Sequence, residues 1–282
     1  MKRVVSLFKN KLINGTRYFL VHRMPGICDF ILLTEYPRSG GTWLGQMLSA
    51  YLDIPFPRNT FPVFRTSVVH GHFLPFQKAE RIHRIVWLVR DGRDVMVSMY
   101  YHSLLPNEEN IKHPKDLNYF RKKLGFRDVH DIGNNLPAFM EFLCGDRPSR
   151  FTRFSHEGNW GDFNRKWHDY TDISAVSGNI IRTSYEELLR NTGDTLAGII
   201  GGLSGAPVDA DRIRRVAEQF RFSRQTRRKP GVEDRTAFRR KGISGDWRNV
   251  FTREAAEVFD HYYGDSLIML GYEPDRRWVE TL

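Results

Sequence analysis

TEYPRSGGTWL, residues 34–44, follows an apolar run, Phe30-Ile31-Leu32-Leu33, and leads into residues at helical spacing, Trp43 to Leu48. An apolar run that breaks at proline and glycine and resumes at helical spacing predicts a strand, a tight loop and the start of a helix. In such a unit the first helical N–H groups have no intrahelical partner, and the helix dipole adds positive potential. Gly40 and Gly41 let the backbone approach an anion, and Thr42 adds a hydroxyl donor. The loop is therefore built for a phosphate-like group. It is not the nucleotide-triphosphate loop G-x-x-x-x-G-K-[ST], because Gly41 stands where that lysine belongs. Arg38 is its one cation, and no magnesium-holding carboxylate is evident.

Working outward, Arg84 to Val89 reads as a second buried strand, Asp94 to Leu105 as a helix with Asp91 or Asp94 near its start, and Asn179 to Arg182 as a short strand. Ser184-Tyr185-Glu186-Glu187 has the form of a capping box. Further helices are expected over 209–220 and 252–270, while Gly198 to Gly205 reads as the end of a helix. Residues 53–80 are rich in proline and phenylalanine and read as irregular, and 106–160 as a polar insert of short helices and loops. Residues 1–26 form a basic, partly amphipathic leader, which either lies on an anionic membrane surface or packs on the domain edge. Strands alternating with helices imply an α/β fold with a mainly parallel sheet covered on both faces.

The chain has 282 residues, 40% hydrophobic, enough for one substantial core and a single domain over 1–282. No stretch of eighteen apolar residues occurs, and the run from Val4 to Phe8 is cut by Lys9 and Lys11, too short for an export signal. Cys28 and Cys144 make neither a metal-ligand spacing nor a disulfide framework, so a cytoplasmic location is expected, with or without peripheral membrane contact. The net charge of +10 favours anionic ligands. Much of it crowds at Arg221, Arg224, Arg227, Arg228 and Lys229 and again at Arg239-Arg240-Lys241.

Four segments, in order, resemble the cytosolic-type sulfotransferases that use 3′-phosphoadenosine 5′-phosphosulfate (PAPS). Tyr36 to Trp43 is similar to that family's 5′-phosphosulfate loop, Y-P-K/R-S-G-x-T-W. Arg90-Asp91-Gly92-Arg93-Asp94-Val95-Met96-Val97-Ser98 is similar to its 3′-phosphate segment, R-x-x-x-D-x-x-x-S. Thr183 to Glu186 resembles its tyrosine–acid pair, and Arg240-Lys241-Gly242-Ile243-Ser244-Gly245-Asp246-Trp247 its R-K-G-x-x-G-D-W. The resemblance implies a three-layer fold with a P-loop-like nucleotide-binding topology. It implies that Arg38, Ser39, Gly40, Gly41, Thr42 and Trp43 hold the phosphosulfate. Arg90, Ser98, Arg240, Lys241 and the Gly242 backbone would hold the 3′-phosphate, and Tyr185 would meet the adenine. Phe222 stands either as an adenine-stacking ring or as core, and Arg90 could instead pair with Asp91 or Asp94. Arg93 and Asp94 are expected to shape the loop and cap the helix, and Trp160 and Trp167 to be core.

Transfer to an alcohol needs a base, and histidine titrates nearest neutral pH. Aligned on the family's K-T-H-L-P-like segment, Val69 to Pro75 makes His72 the base, with His70 the alternative. A sulfuryl group carries less charge than a phosphoryl group, so Arg38 and N–H dipoles are expected to serve without a metal. The expected reaction is in-line displacement by a hydroxyl acceptor, whether carbohydrate, glycolipid, phenol or small alcohol, with adenosine 3′,5′-bisphosphate (PAP) as product; the 53–76 stretch and the 106–160 insert are expected to shape the acceptor site. The rivals are a phosphate-loop kinase and a non-enzymatic basic module for nucleic acid or anionic polysaccharide. Under the main expectation nucleic acid is not a partner. The family's dimer motif is met in part by Arg248, Thr252 and Glu257.

Overall fold

Phe30–Glu35 (β1) is buried along its whole length, as a strand covered on both faces must be. It lies in the middle of a four-stranded parallel sheet of order β2-β1-β3-β4, completed by Ser67–Gly71 (β2), Ile85–Val89 (β3) and Ile180–Ser184 (β4). The register sets Leu33 against His70 and Val86, and Thr34 against Gly71 and Trp87. The computed structural model describes residues 2–282 apart from 26, 59, 77–78, 109, 113, 145–158 and 174–176. The expected insert at 106–160 therefore lies partly outside the described residues.

The chain forms two units, one of residues 1–89 and 166–221 and the other of 90–165 and 222–282. In the first, Ile31, Leu33, Val68, Val86 and Leu88 put alternate side chains on one sheet face. That face packs with Gly41–Leu52 (α2), Tyr185–Arg190 (α3), Thr192–Ser204 (α4) and Ala210–Gln219 (α5) through Leu44, Met47, Leu188, Ile199, Ile200, Ile213 and Val216. The expected capping box is present. The Ser184 hydroxyl accepts from Glu187 N–H, and the Glu187 carboxylate accepts from Ser184 N–H. Gly205 ends α4 in the left-handed region, so the Gly198–Gly205 stretch is the end of a helix, as read. Lys2–Arg23 (α6) buries Ile13, Leu20 and Val21. Trp167, on Trp160–Ile173 (α7), is fully buried and donates from Nε1 to Phe73 O at 2.8 Å.

The 53–80 stretch is not wholly irregular, because β2 lies within it. Only Val68 and Val69 give it an apolar signature, and pairing along β1 supplies the rest. In the second unit Gly92–Leu104 (α8), Pro114–Leu124 (α9), Ile132–Cys144 (α10) and Arg253–Leu270 (α11) enclose a core rich in aromatic rings. Trp160, Phe259 and Tyr263 meet edge to face or tilted at 5.1–6.0 Å. A side chain at Gly92 would meet Trp160 and Phe259 at 2.8 Å, so glycine is required there by packing.

Candidate active site

The loop between β1 and α2 turns through two left-handed residues, Arg38 at φ 74° and Gly40 at φ 105°. Glycine adopts this region freely; an arginine there is strained, a condition that gathers at functional sites. α2 opens on Gly40, which has no side chain to cap it; of the first N–H groups, that of Gly41 is taken from below by Glu35. Ser39 is 1% exposed and its Oγ has no hydrogen-bond partner, a buried polar atom within the loop expected to take an oxyanion. The Tyr185 ring lies directly over the loop: a Cβ on Gly40 would sit 2.7 Å from its Cδ2, and Trp43 meets it edge-on at 6.0 Å. Trp43 is anchored in turn by its Nε1, which donates to Phe220 O at 2.8 Å. Arg38, Ser39, Gly40, Gly41, Thr42, Trp43 and Tyr185 thus lie together around this loop.

Under the loop lies a residue that the sequence did not single out. Glu35, the last residue of β1, is 4% exposed. One carboxylate oxygen accepts the Gly41 N–H, and the other accepts from His70 Nε2 at 3.0 Å. The backbone oxygen of Glu35 accepts from His72 Nδ1 at 2.8 Å. A carbonyl can only accept, so the His72 proton resides on Nδ1 and Nε2 carries the lone pair. Burial works against the charge of Glu35, but the hydrogen bond and charge of His70, with smaller help from His72 and the Gly41 N–H, hold its carboxyl below the usual range. Burial, then the charge of His70, pushes the His72 imidazole down to about 4 against the pull of Glu35. His72 is therefore neutral at physiological pH, as a general base must be. The backbone just beyond it is fixed, because Phe73 O accepts from both Thr34 Oγ1 and Trp167 Nε1 at 2.8 Å. The signal for Glu35 was present: an acid ending an otherwise apolar strand.

The remaining expected residues fall in the second unit. Asp91 caps α8 by accepting the Arg93 N–H at 2.9 Å. Arg93 is 2% exposed; its guanidinium binds Asp91 and Glu273 and stacks on Trp247 at 3.8 Å and Trp278 at 4.8 Å. Asp94 reaches across to the other motif, accepting Gly245 N–H at 2.7 Å and Trp247 N–H at 2.9 Å. It also lies 3.9 Å from the Arg90 guanidinium, the pairing considered for that arginine. Burial raises the Asp94 carboxyl above its usual range, with Arg90 opposing. Arg93 and Asp94 shape the loop as expected, while the cap itself is Asp91. Ser98 is half-buried on α8.

Arg240 and Lys241 both reach Asp246, at 2.5 Å each; Arg240 also pairs with Glu233 and lies 4.4 Å over the Tyr101 ring. Arg228 pins the backbone below them, donating to Arg239 O, Arg240 O and Val232 O. Gly242, at φ 64°, lies so close under the Phe222 ring that a Cβ would fall 2.2 Å from it. Arg90, Arg240, Lys241, Gly242 and Phe222 thus share this unit, with Asp94 tying the two motifs. Asp246 stood inside the quoted motif without an assigned role; it is what orders the two cations. Among the described residues, no group of three or more His, Cys, Asp or Glu is placed to hold a metal ion.

A family model described as the sulfotransferase domain matches residues 56–271. Human sulfotransferase 2B1 is 25% identical over 270 residues, covering 83% of this chain and 65% of that protein. Human sulfotransferase 2A1 is 24% identical over 279 residues, covering 87% and 86%. The fold is similar to that of mouse sulfotransferase SULT7A1 complexed with PAP, with a TM-score of 0.61 and 19% identity over 96% of this chain and 94% of that one. Retinol dehydratase in complex with androsterone and PAP gives a TM-score of 0.55 and 14% identity over 90% and 85%. With the domain model matching most of its length, and with a parallel sheet carrying the strand–loop–helix unit at its centre, the chain belongs to the sulfotransferase family.

Proposed function

We propose that this chain transfers a sulfuryl group from PAPS to a hydroxyl acceptor, with His72 as the general base. One observation carries the reading: Glu35 anchors both the base, through its backbone oxygen, and the donor loop, through its carboxylate on the Gly41 N–H. A base and an anion-binding helix end fixed to one residue suit a reaction in which a hydroxyl must meet a group held by that loop.

PAPS would supply the activated sulfuryl group. The unpartnered Ser39 Oγ and the start of α2, where Gly40 offers no side-chain cap, fit its phosphosulfate oxygens, with Gly40, Gly41, Thr42 and Trp43 completing the loop. Arg38 stabilises charge on the leaving phosphate; an arginine does not readily give up a proton, so its part is electrostatic. His72 Nε2 removes the acceptor proton. On the family resemblance Arg90, Ser98, Arg240, Lys241 and the Gly242 backbone take the 3′-phosphate, and Tyr185 and Phe222 the adenine. The expected dominance of cationic and N–H stabilisation makes the reaction metal-independent. The 282 residues are read as one sulfotransferase domain.

Relatives include proteins named as 3-alpha- and 3-beta-hydroxysteroid sulfotransferases from guinea pig (Cavia porcellus), each 24% identical. A hydroxyl on an apolar body, whether small alcohol, phenol or glycolipid, fits the phenylalanine- and proline-rich stretch 53–76, and a glycan remains in the class. The test is transfer of radiolabel from PAPS to a panel of hydroxysteroids, phenols, glycans and glycolipids, with and without a chelator, for the wild type and His72→Asn. Label transferred by the wild type and lost in the variant is expected. No transfer to any acceptor together with no PAP binding by calorimetry overturns the proposal.

A further inference from the structure

The first 28 residues contain six Lys or Arg and no Asp or Glu. Twenty-two of those residues, Lys2–Arg23, form α6. Its described part has two apolar faces. Ile13, Leu20 and Val21 are buried and fix the helix to the protein, while Leu12, Tyr18 and Phe19 stand 48–54% exposed. Beyond the helix, Ile27 is 74% exposed.

A second segment is tied to this helix. The Arg17 guanidinium donates to Pro57 O at 3.1 Å and to Arg58 O. The loop held there carries Phe61 and Phe64, both exposed. Residues 54–79 again contain no carboxylate, with Arg58, Arg65 and Lys78 as their charges. Asp29, the first acid in the chain, pairs with Arg84 and accepts from Thr66 Oγ1 at 3.0 Å. Exposed aromatic and aliphatic side chains set among basic residues, without acids, match a surface that inserts shallowly between anionic headgroups. No described helix is long and apolar enough to cross a membrane. A second copy of the same face would bring like charges together, whereas an anionic bilayer offers both the apolar medium and the opposite charge.

We propose that α6 and the 54–66 loop form a face that docks on the surface of an anionic lipid bilayer. A line of rings connects this face to the base: Tyr18 stacks on His22 at 3.9 Å, and His22 packs on Phe76 at 4.2 Å and on Phe73, the neighbour of His72, at 6.0 Å. Docking there turns the His72 end of this line of rings toward the lipid, which suits an acceptor carried by a lipid. The docking itself stands apart from the sulfotransferase reading, since it rests on surface residues with no part in the chemistry.

The experiment is flotation of the full chain with vesicles of phosphatidylcholine alone and of phosphatidylcholine with phosphatidylglycerol, at low and high salt. The expected result is binding about tenfold stronger to the anionic vesicles, weakened by salt, and lost in Leu12→Ser/Phe19→Ser/Phe64→Ser. Calorimetry with PAP accompanies each protein: heat retained by the variant shows that it is folded, and heat absent from the wild type counts against the proposed function alone. The docking proposal is overturned if neither vesicle floats the wild type, if the triple variant floats equally well, or if sedimentation shows a wild-type dimer that the triple variant lacks.

Discussion

Placing an alanine at Gly41 would test the arrangement around Glu35. Gly41 is the first residue of α2, and its φ is not positive, so its backbone tolerates any residue. On backbone grounds alone Gly41→Ala should stabilise the protein by about 0.4–1 kcal/mol. The surroundings argue the opposite. The added Cβ would lie 2.6 Å from Glu35 Cδ and from His70 Nε2, and 2.7 Å from Glu35 Oε1. These are buried groups on β1 and β2, bonded to one another, with no flexible end to swing aside. Overpacking of this kind costs about 1–3 kcal/mol. Parting Glu35 from the Gly41 N–H or from His70 adds roughly 1–3 kcal/mol for the group left unpaired. The net expectation is a loss of about 2–5 kcal/mol, opposite in sign to the propensity effect. Urea unfolding of Gly41→Ala, Glu35→Ala and the double variant measures it. Removing the Glu35 carboxylate should relieve the clash, so the two changes should couple by about 0.5–3 kcal/mol. A Gly41→Ala protein as stable as the wild type, or an equal loss in the Glu35→Ala background, would refute the reasoning.

Further outcomes at His72, Arg38 and Arg93 follow from the geometry. His72→Asn should lower turnover by about 10²–10⁴ while PAP affinity holds, read by steady-state kinetics and calorimetry. The depressed pKa of His72 also makes stability rise with pH between about 4 and 6.5, because the unfolded chain binds a proton there that the folded one refuses. The swing is on the order of 3 kcal/mol at most, and in urea unfolding across that range the Asn variant should lose its share of the slope. Arg38→Ala should cut turnover at saturating PAPS by about 10²–10³, and unchanged turnover would remove it from the mechanism. Arg93→Ala strips the buried Asp91 and the half-buried Glu273 of their cation and should cost about 3–5 kcal/mol. Arg93→Lys should recover little in the same unfolding assay, since an ammonium lacks the planar fork and the stacking on Trp247 and Trp278.

What the sequence disclosed and what it hid differ by the reach of the interaction concerned. β1, its loop and α2 were legible because an apolar run, two glycines and a helical pattern sit within twenty residues of one another. The capping box at Ser184 was legible for the same reason, its two halves being three residues apart. β2 was not: two valines in a proline- and phenylalanine-rich stretch become a strand only by pairing with β1, more than thirty residues away. Glu35 and Asp94 show the same limit within the site. Each was visible as an acid at the edge of a motif. Its burial and its partners (His70 and Gly41 for one, Gly245 and Trp247 for the other) are set by the tertiary fold. Residues that would touch the ligand reveal themselves by type and spacing, because one small ligand demands one compact constellation. Residues that hold those in place answer to the fold instead, and Glu35 is the sharper case. A buried carboxylate at the start of an anion-binding helix would repel the group that the loop is built to receive, and its bond to His70 on the neighbouring strand does most to make it tolerable there. The motif and the pair beneath it must therefore have been fitted to each other. Glycine at position 41, where the motif leaves the residue unspecified, is the visible mark of that fit.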